Sequence, residues 1–367
     1  MELVSNIIFS ESFWLPHYVK WKDFENVTKI DMPVAWHCFL ALPIAVGLFI
    51  LRLLFERFIS TPIGRIFKLK ESRPKKPRDN ELLENEFRSA FKKTIPNYES
   101  LLELSKKTDL TVRQLERWWR RRRIFGNPSE MQKFNEASWR LTFYCLVFWY
   151  GLIILFDKDY FWDTRNCWSN YPYQHLSKSI WWYYQIEMAF YWSLLISVFM
   201  DTKRKDFAIN LCHHFATLSL MIFSFIPNFI RMGSLVLCVH DAVDGWLESA
   251  KLAKYLKFSK LTDVLFIIFA SVWVITRLCI FPFYLIRSTL FESEAVMQGK
   301  YVPAHVLFNI LLITLLILHI YWFYLICRML HKYLISGEIE KDIRSETEPD
   351  TSDNEVRKQN GNGISRQ

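Results

Sequence analysis

Residues 206–255 read DFAINLCHHFATLSLMIFSFIPNFIRMGSLVLCVHDAVDGWLESAKLAKY. Two apolar blocks, 207–226 and 232–252, flank a short turn, and each has about the twenty residues a helix needs to cross the hydrocarbon core of a bilayer. Neither block is cleanly apolar. The first carries Asn210, His213, His214 and Thr217; the second carries His240, Asp241, Asp244 and Glu248. Neighbouring helical positions lie about 100° apart, so the two histidines share a broad face, with Asn210 a turn before His214 and Thr217 a turn after His213. Asp241, Asp244 and Glu248 follow at i, i+3 and i+7 and form one stripe, from which Val243, Trp246 and Leu247 point away.

Each acid inside a membrane costs about 2.5–3.5 kcal/mol on insertion scales. Three on one stripe require partners or a wet cavity, unless Glu248 and Asp244 simply reach interfacial water at a helix end. At about 1.5 Å per residue, His213 lies roughly 9 Å and Asp244 roughly 12 Å from the same side of the membrane, so the two groups can meet at one level.

Outward from this stretch, the spacing predicts an all-α polytopic bundle of about seven spans, at 34–55, 139–156, 181–200, 207–226, 232–252, 263–286 and 304–330. Lys and Arg bias sets its orientation. Segment 56–138 is rich in basic residues, Lys203, Arg204 and Lys205 follow the third span, and Lys254, Lys257 and Lys260 follow the fifth. These segments are expected on the cytosolic side, with the N-terminus lumenal and the C-terminus cytosolic. Asn26-Val27-Thr28 is then a lumenal glycosylation sequon, and the start Met-Glu-Leu-Val-Ser has no basic leader of a cleaved signal peptide. The seven cysteines form no CxxC spacing and read as small core hydrophobes.

The chain divides into a lumenal segment 1–33, a first span 34–55, a basic linker 56–79, a small soluble unit 80–126, a six-span domain 131–335 and an acidic disordered tail 336–367. In 80–126 a first helix is expected at Glu81 to Lys93 and a second at Tyr98 to Thr108, with Asp109 or Thr111 capping a third at Val112 to Arg123. In the tail, Ser345 and Ser352 each have an acid three positions on, the pattern of acid-directed phosphorylation.

Two schemes fit the central residues. A histidine can act as general base toward an amine, with Asp241 or Asp244 holding the ring, or it can attack a thioester and carry the acyl group. Histidines with acids can also bind a metal, yet the HxxxH and HxxHH boxes of membrane di-iron enzymes do not occur, and no metal site is expected. Arg277, alone in an apolar run, needs Asp241, Glu248 or a ligand anion as partner. His319 reads as a satisfied core histidine. Trp181, Trp182, Tyr183 and Tyr184 read as an interfacial aromatic belt.

The HH pair with threonine at 217, followed by HDxxD at 240–244, resembles the signature of ceramide synthases, which carry a TLC domain and N-acylate sphingoid bases. KFNEASWR at 133–140 and FWLP at 13–16 extend the likeness to about 10–335. The resemblance implies residence in the endoplasmic reticulum, a long-chain acyl-CoA and sphinganine or sphingosine as substrates, and ceramide or dihydroceramide as product, with no cofactor because acyl-CoA is itself a substrate. It implies His213 and His214 as essential, with Asp241 and Asp244 supporting them, and a lumenal loop Arg287 to Pro303 that influences acyl length. Segment 80–126 resembles a homeobox-like domain, LTVRQLERWWRRRR being similar to a recognition helix. Arg121 stands where a homeodomain carries its adenine-reading asparagine, so DNA is not an expected partner and Arg120 to Arg123 suit anionic lipid headgroups or CoA phosphates.

The corresponding working cycle docks CoA phosphates on Lys203, Arg204, Lys205, Lys251 and Lys254. The thioester then stops beside His213, with Asn210, Thr217, His240, Glu248 and Arg277 near the substrates. The alternatives are a non-catalytic TLC protein that binds lipid or serves a translocon, a membrane-tethered DNA-binding regulator, and a metal-dependent oxidase. Whether the chain pairs with itself or with a related synthase is left open, as are acyl length and the identity of the nucleophile.

Overall fold

The computed structural model describes residues 10–16, 19–26, 31–89, 96–198, 207–297 and 302–336. Its principal helices, in chain order, are α1 (Ala35–Ile66), α2 (Glu81–Ser89), α3 (Tyr98–Thr108), α4 (Val112–Ile124), α5 (Glu130–Phe156), α6 (Lys178–Val198), α7 (Phe207–Phe225), α8 (Ile230–Tyr255), α9 (Ser259–Ala295) and α10 (Pro303–Ser336). There is no strand among the described residues. The described residues up to 67 and from 134 to 336 form one compact unit, and those of 68–133 a second.

Five helices, α1, α5, α7, α9 and α10, are long and apolar enough to cross a membrane. The shortest, α7 with 19 residues, is about 28 Å long, close to the thickness of the hydrocarbon core. Phe39, Val46, Leu146, Ile153, Phe283, Ile317 and Ile320 face outward on these helices. An apolar outer surface of this extent suits lipid contact, and the chain is an integral membrane protein. The segments expected as the third and fifth spans are also helices of the same unit, α6 with 21 residues and α8 with 26. They are less apolar, because α6 carries Gln185 and Glu187 and α8 carries its three acids.

Several boundaries differ from expectation. α1 continues to Ile66, past the expected end at 55, because Phe58, Ile59, Ile63 and Ile66 keep it apolar and Arg52 pairs with Glu56 at 2.7 Å across one turn. α5 begins at Glu130 rather than 139. The expected lumenal loop from Arg287 is helical through Met297, as a continuation of α9 and a short final turn. Within α9, Val274–Ile286 is wound as a π-helix that contains Pro282. Of the cysteines, Cys38, Cys167 and Cys238 are buried, whereas Cys145, Cys212, Cys279 and Cys327 are exposed on the apolar surface; all seven are free thiols.

α1 packs on α6, α6 on α7, α7 on α10, and α8 on α9, which also meets α10. Tyr183 and Tyr184 lie at the centre of this packing, fully buried, and not in a belt. Four consecutive aromatics span more than a full turn of helix, so only part of the run can face outward; here Trp182 is exposed and Trp181 donates to His37 Nδ1 at 3.2 Å. Glycine makes the close approach feasible. A Cβ at Gly233 would lie 1.6 Å from Tyr184 Oη, and one at Gly151 2.7 Å from Tyr183 Oη.

The second unit has its own core of Leu83, Phe87, Leu101, Leu104, Leu115, Trp118 and Trp119. Thr111, not Asp109, caps α4: it forms a capping box with Gln114, while Asp109 takes φ 53° and ends α3. Arg122 donates two hydrogen bonds to Glu84, at 2.7 and 2.6 Å. These bonds hold the Glu84 carboxyl down to about 2. The first helix is described only to Ser89, and residues 90–95 of its expected length lie outside the described residues.

Candidate active site

α7 sets its histidines at adjacent positions, so one ring turns inward and the other lies at the edge of the core. His214 is buried, and its Nε2 accepts from the Asn210 amide at 3.1 Å, one turn back on the same helix. His213 packs edge-on against Trp322 of α10 with ring centroids 5.2 Å apart, and the two imidazoles are 5.7 Å apart. Their Nδ1 atoms have no hydrogen-bond partner among the described residues. Thr217 donates to the His213 backbone carbonyl at 2.9 Å, so its hydroxyl serves the helix rather than an imidazole.

The acids of α8 part company despite their common stripe. Asp241 is buried and accepts from Tyr183 Oη of α6 at 3.2 Å. Asp244 pairs with Arg277 of α9 at 3.5 Å. Glu248 pairs with Lys251 on its own helix at 2.6 Å. The expected partner of Arg277, Asp241 or Glu248, is therefore replaced by Asp244, because α9 passes α8 one turn beyond Asp241. Lys251, expected on a phosphate-binding rim, is likewise engaged with Glu248. Lys254 lies in the last turn of α8.

Arg277 organises the region between these groups. It is buried, donates to the His240 carbonyl at 2.7 Å and to His319 Nε2 at 3.2 Å, and lies over the Trp273 ring at 5.4 Å. An arginine only donates, so His319 Nε2 is an acceptor and its ring is neutral. His240 gives its Nδ1 proton to the Val236 carbonyl at 2.6 Å, and its ring packs 5.0 Å from that of His319. His319, expected as a satisfied core histidine, is fully buried and bonded at Nε2, while its Nδ1 has no hydrogen-bond partner among the described residues. Among the described residues no hydrogen bond joins His213 or His214 to Asp241 or Asp244. The ring-holding aspartate of the general-base scheme is not formed. No three of the described His, Cys, Asp and Glu side chains are grouped to hold a metal ion.

The TLC domain family model matches residues 133–328, which contain every element of this centre. Human ceramide synthase 5 is 43% identical over 357 residues, covering 97% of this chain and 90% of its own. The chain belongs to the ceramide synthase family. Human ceramide synthase 3 is 39% identical across 92% of this chain and 87% of its own, and mouse ceramide synthase 4 is 38% identical across 96% and 89%.

Several residues of this ceramide synthase centre escape a reading by motif. Glu187 is fully buried on α6 with its carboxyl against that of Asp241, and Tyr191, one turn on, places its ring 6.1 Å from His214. A single acid inside a Trp- and Tyr-rich run has no spacing signature; its one signal was the cost of a charge there. Lys203, Arg204 and Lys205, Val27 and Thr28 of the sequon, and Ser345 and Ser352 lie outside the described residues, and of Asn26 only the helical backbone is described.

Proposed function

We propose that this chain joins the acyl group of a long-chain acyl-CoA to the amine of a sphingoid base, with the chemistry at His213 and His214. One observation carries this assignment: two imidazoles with unpartnered Nδ1 atoms stand at the edge of a buried polar centre, inside a bundle whose outer face is apolar. An acyl chain can lie among such helices while its thioester stops at the polar level. His213, at the edge and against Trp322, attacks the thioester carbon; the C–S bond breaks and CoA leaves as thiolate. His214, whose Nε2 gives up the Asn210 amide, accepts a proton there as the amine attacks the acyl-imidazolium and His213, still carrying its own N–H, is released as neutral imidazole. Asp244 and Arg277 tie α8 to α9 and keep the floor of the site in place.

The wider assignment places the enzyme in the membrane of the endoplasmic reticulum with seven spans, α6 and α8 included. The N-terminus is lumenal, the C-terminus cytosolic and the second unit cytosolic. The clustering of Lys and Arg before α5, after α6 and after α8 supports this orientation. Arg120 to Arg123 suit anionic headgroups there.

The test is product formation by purified protein given acyl-CoA and sphinganine. It is followed by intact-mass measurement after acyl-CoA alone, for the parent and His213→Ala. Ceramide production and an added acyl mass, both absent from a folded His213→Ala protein, are expected. Parent-level product from that variant would refute the assignment.

A further inference from the structure

We propose that Glu187 and Asp241 form the subsite that receives the ammonium group of the amine substrate. The assignment rests on the reading of this centre as an N-acyltransferase and adds to it the place where the second substrate is recognised. Glu187 is fully buried, and beyond the Asp241 carboxyl its oxygens have no hydrogen-bond partner among the described residues; Asp241 Oδ1 has none beyond Glu187 either. The two carboxyls lie against each other. Asp241 Oδ2 is already satisfied by Tyr183 Oη at 3.2 Å. Arg277 directs its N–H groups elsewhere, to the His240 carbonyl, His319 and Asp244. Two buried carboxyls therefore meet with at most one shared proton between them, and Tyr183 is the one hydroxyl that also donates to the pair among the described residues. Such an arrangement is costly unless a positive charge enters it.

A primary ammonium is the complement: one positive charge, three N–H donors and no acceptor. The position also suits delivery. Glu187 lies one turn, about 6 Å, from Tyr191 on the same face of α6, and the Tyr191 ring is 6.1 Å from that of His214. Once held, the ammonium gives one proton to a carboxylate. Its N–H bond breaks, a carboxyl O–H forms, and nitrogen keeps the electron pair. The neutral amine is held less tightly, moves past Tyr191 to the histidines, and forms the C–N bond as the acyl–imidazole bond breaks.

The experiment compares the parent with Glu187→Gln and Glu187→Asp in detergent. Expected for Glu187→Gln are an unchanged yield of acyl-enzyme and free CoA from acyl-CoA alone, an unchanged KM for acyl-CoA, and a KM for sphinganine raised at least tenfold. Glu187→Asp should recover part of that loss. An unaltered sphinganine KM in Glu187→Gln, or equal loss of both half-reactions, would overturn the subsite. Should Glu187→Gln not fold, competition on the parent decides: octadecylamine should displace sphinganine at least tenfold better than octadecan-1-ol, and equal potency overturns the proposal. A parent that forms acyl-enzyme but no amide, or neither, would instead count against the acyltransferase itself.

Discussion

Arg277→Met should destabilise the membrane unit by about 3–4 kcal/mol. The magnitude follows from what the guanidinium holds. Its bond to the His240 carbonyl, at 2.7 Å, carries a full charge on the donor and is worth about 1.5–3 kcal/mol. The longer bond to His319, at 3.2 Å, adds about 1 kcal/mol. The ion pair with Asp244 spans 3.5 Å, and the Asp244 side chain is 20% exposed, so it is discounted to about 1 kcal/mol. Methionine keeps most of the volume, which limits any cavity contribution. Part of the sum is returned, because a buried arginine no longer has to shed its water. At about 2–4 °C per kcal/mol for a unit of this size, the melting temperature in detergent should fall by roughly 6–16 °C. The comparison is made at one scan rate, since unfolding of such a protein is read kinetically. Asp244→Asn in the same background removes the charge left behind and should restore about 1 kcal/mol, so the double variant departs from additivity. An Arg277→Met protein that melts within about 2 °C of the parent, or strictly additive variants, would refute Arg277 as the tie between α8 and α9.

Gly233→Ala should cost about 1–3 kcal/mol by overpacking, since its Cβ would stand 1.6 Å from Tyr184 Oη; Tyr184→Phe should recover part of the loss in thermal melts, and a stable single variant would contradict the packing. In the second unit the Glu84 carboxyl is depressed from 4.5 to about 2 in the folded state, so its pairing with Arg122 contributes stability that is complete above about pH 4.5 and is lost as pH falls toward 2. Hydrogen exchange of α2 and α4 should show this acid-dependent opening in the parent and a flatter profile in Glu84→Gln. Thr217→Val should lower product formation by less than tenfold, because its hydroxyl is bonded to the His213 carbonyl 2.9 Å away and forgoes only about 1 kcal/mol.

The residues of the centre were legible in residues 206–255, because histidines and acids are conspicuous in apolar blocks. Their partners were not. The spacing i, i+3, i+7 puts Asp241, Asp244 and Glu248 on one stripe, but successive turns lie about 5 Å apart along the axis. Each therefore meets a different neighbour: Tyr183 and Glu187 for the first, Arg277 for the second, Lys251 for the third. The third helix of the second unit was equally legible from its local pattern, but the choice between Asp109 and Thr111 as its cap came from the structure, where Thr111 forms a capping box with Gln114.

By itself, then, the amino-acid order determined the helices, their apolar faces and the polar residues that the membrane would otherwise exclude. Those properties depend on the 3.6-residue period and on transfer from water, which are local. Only the tertiary structure decided that Glu187 meets Asp241, that Arg277 ties Asp244 to His240 and His319, and that Tyr183 and Tyr184 lie inside the bundle. Which helix passes which, and at what height, depends on close approaches such as Gly233 against Tyr184, set by shapes far apart in the chain.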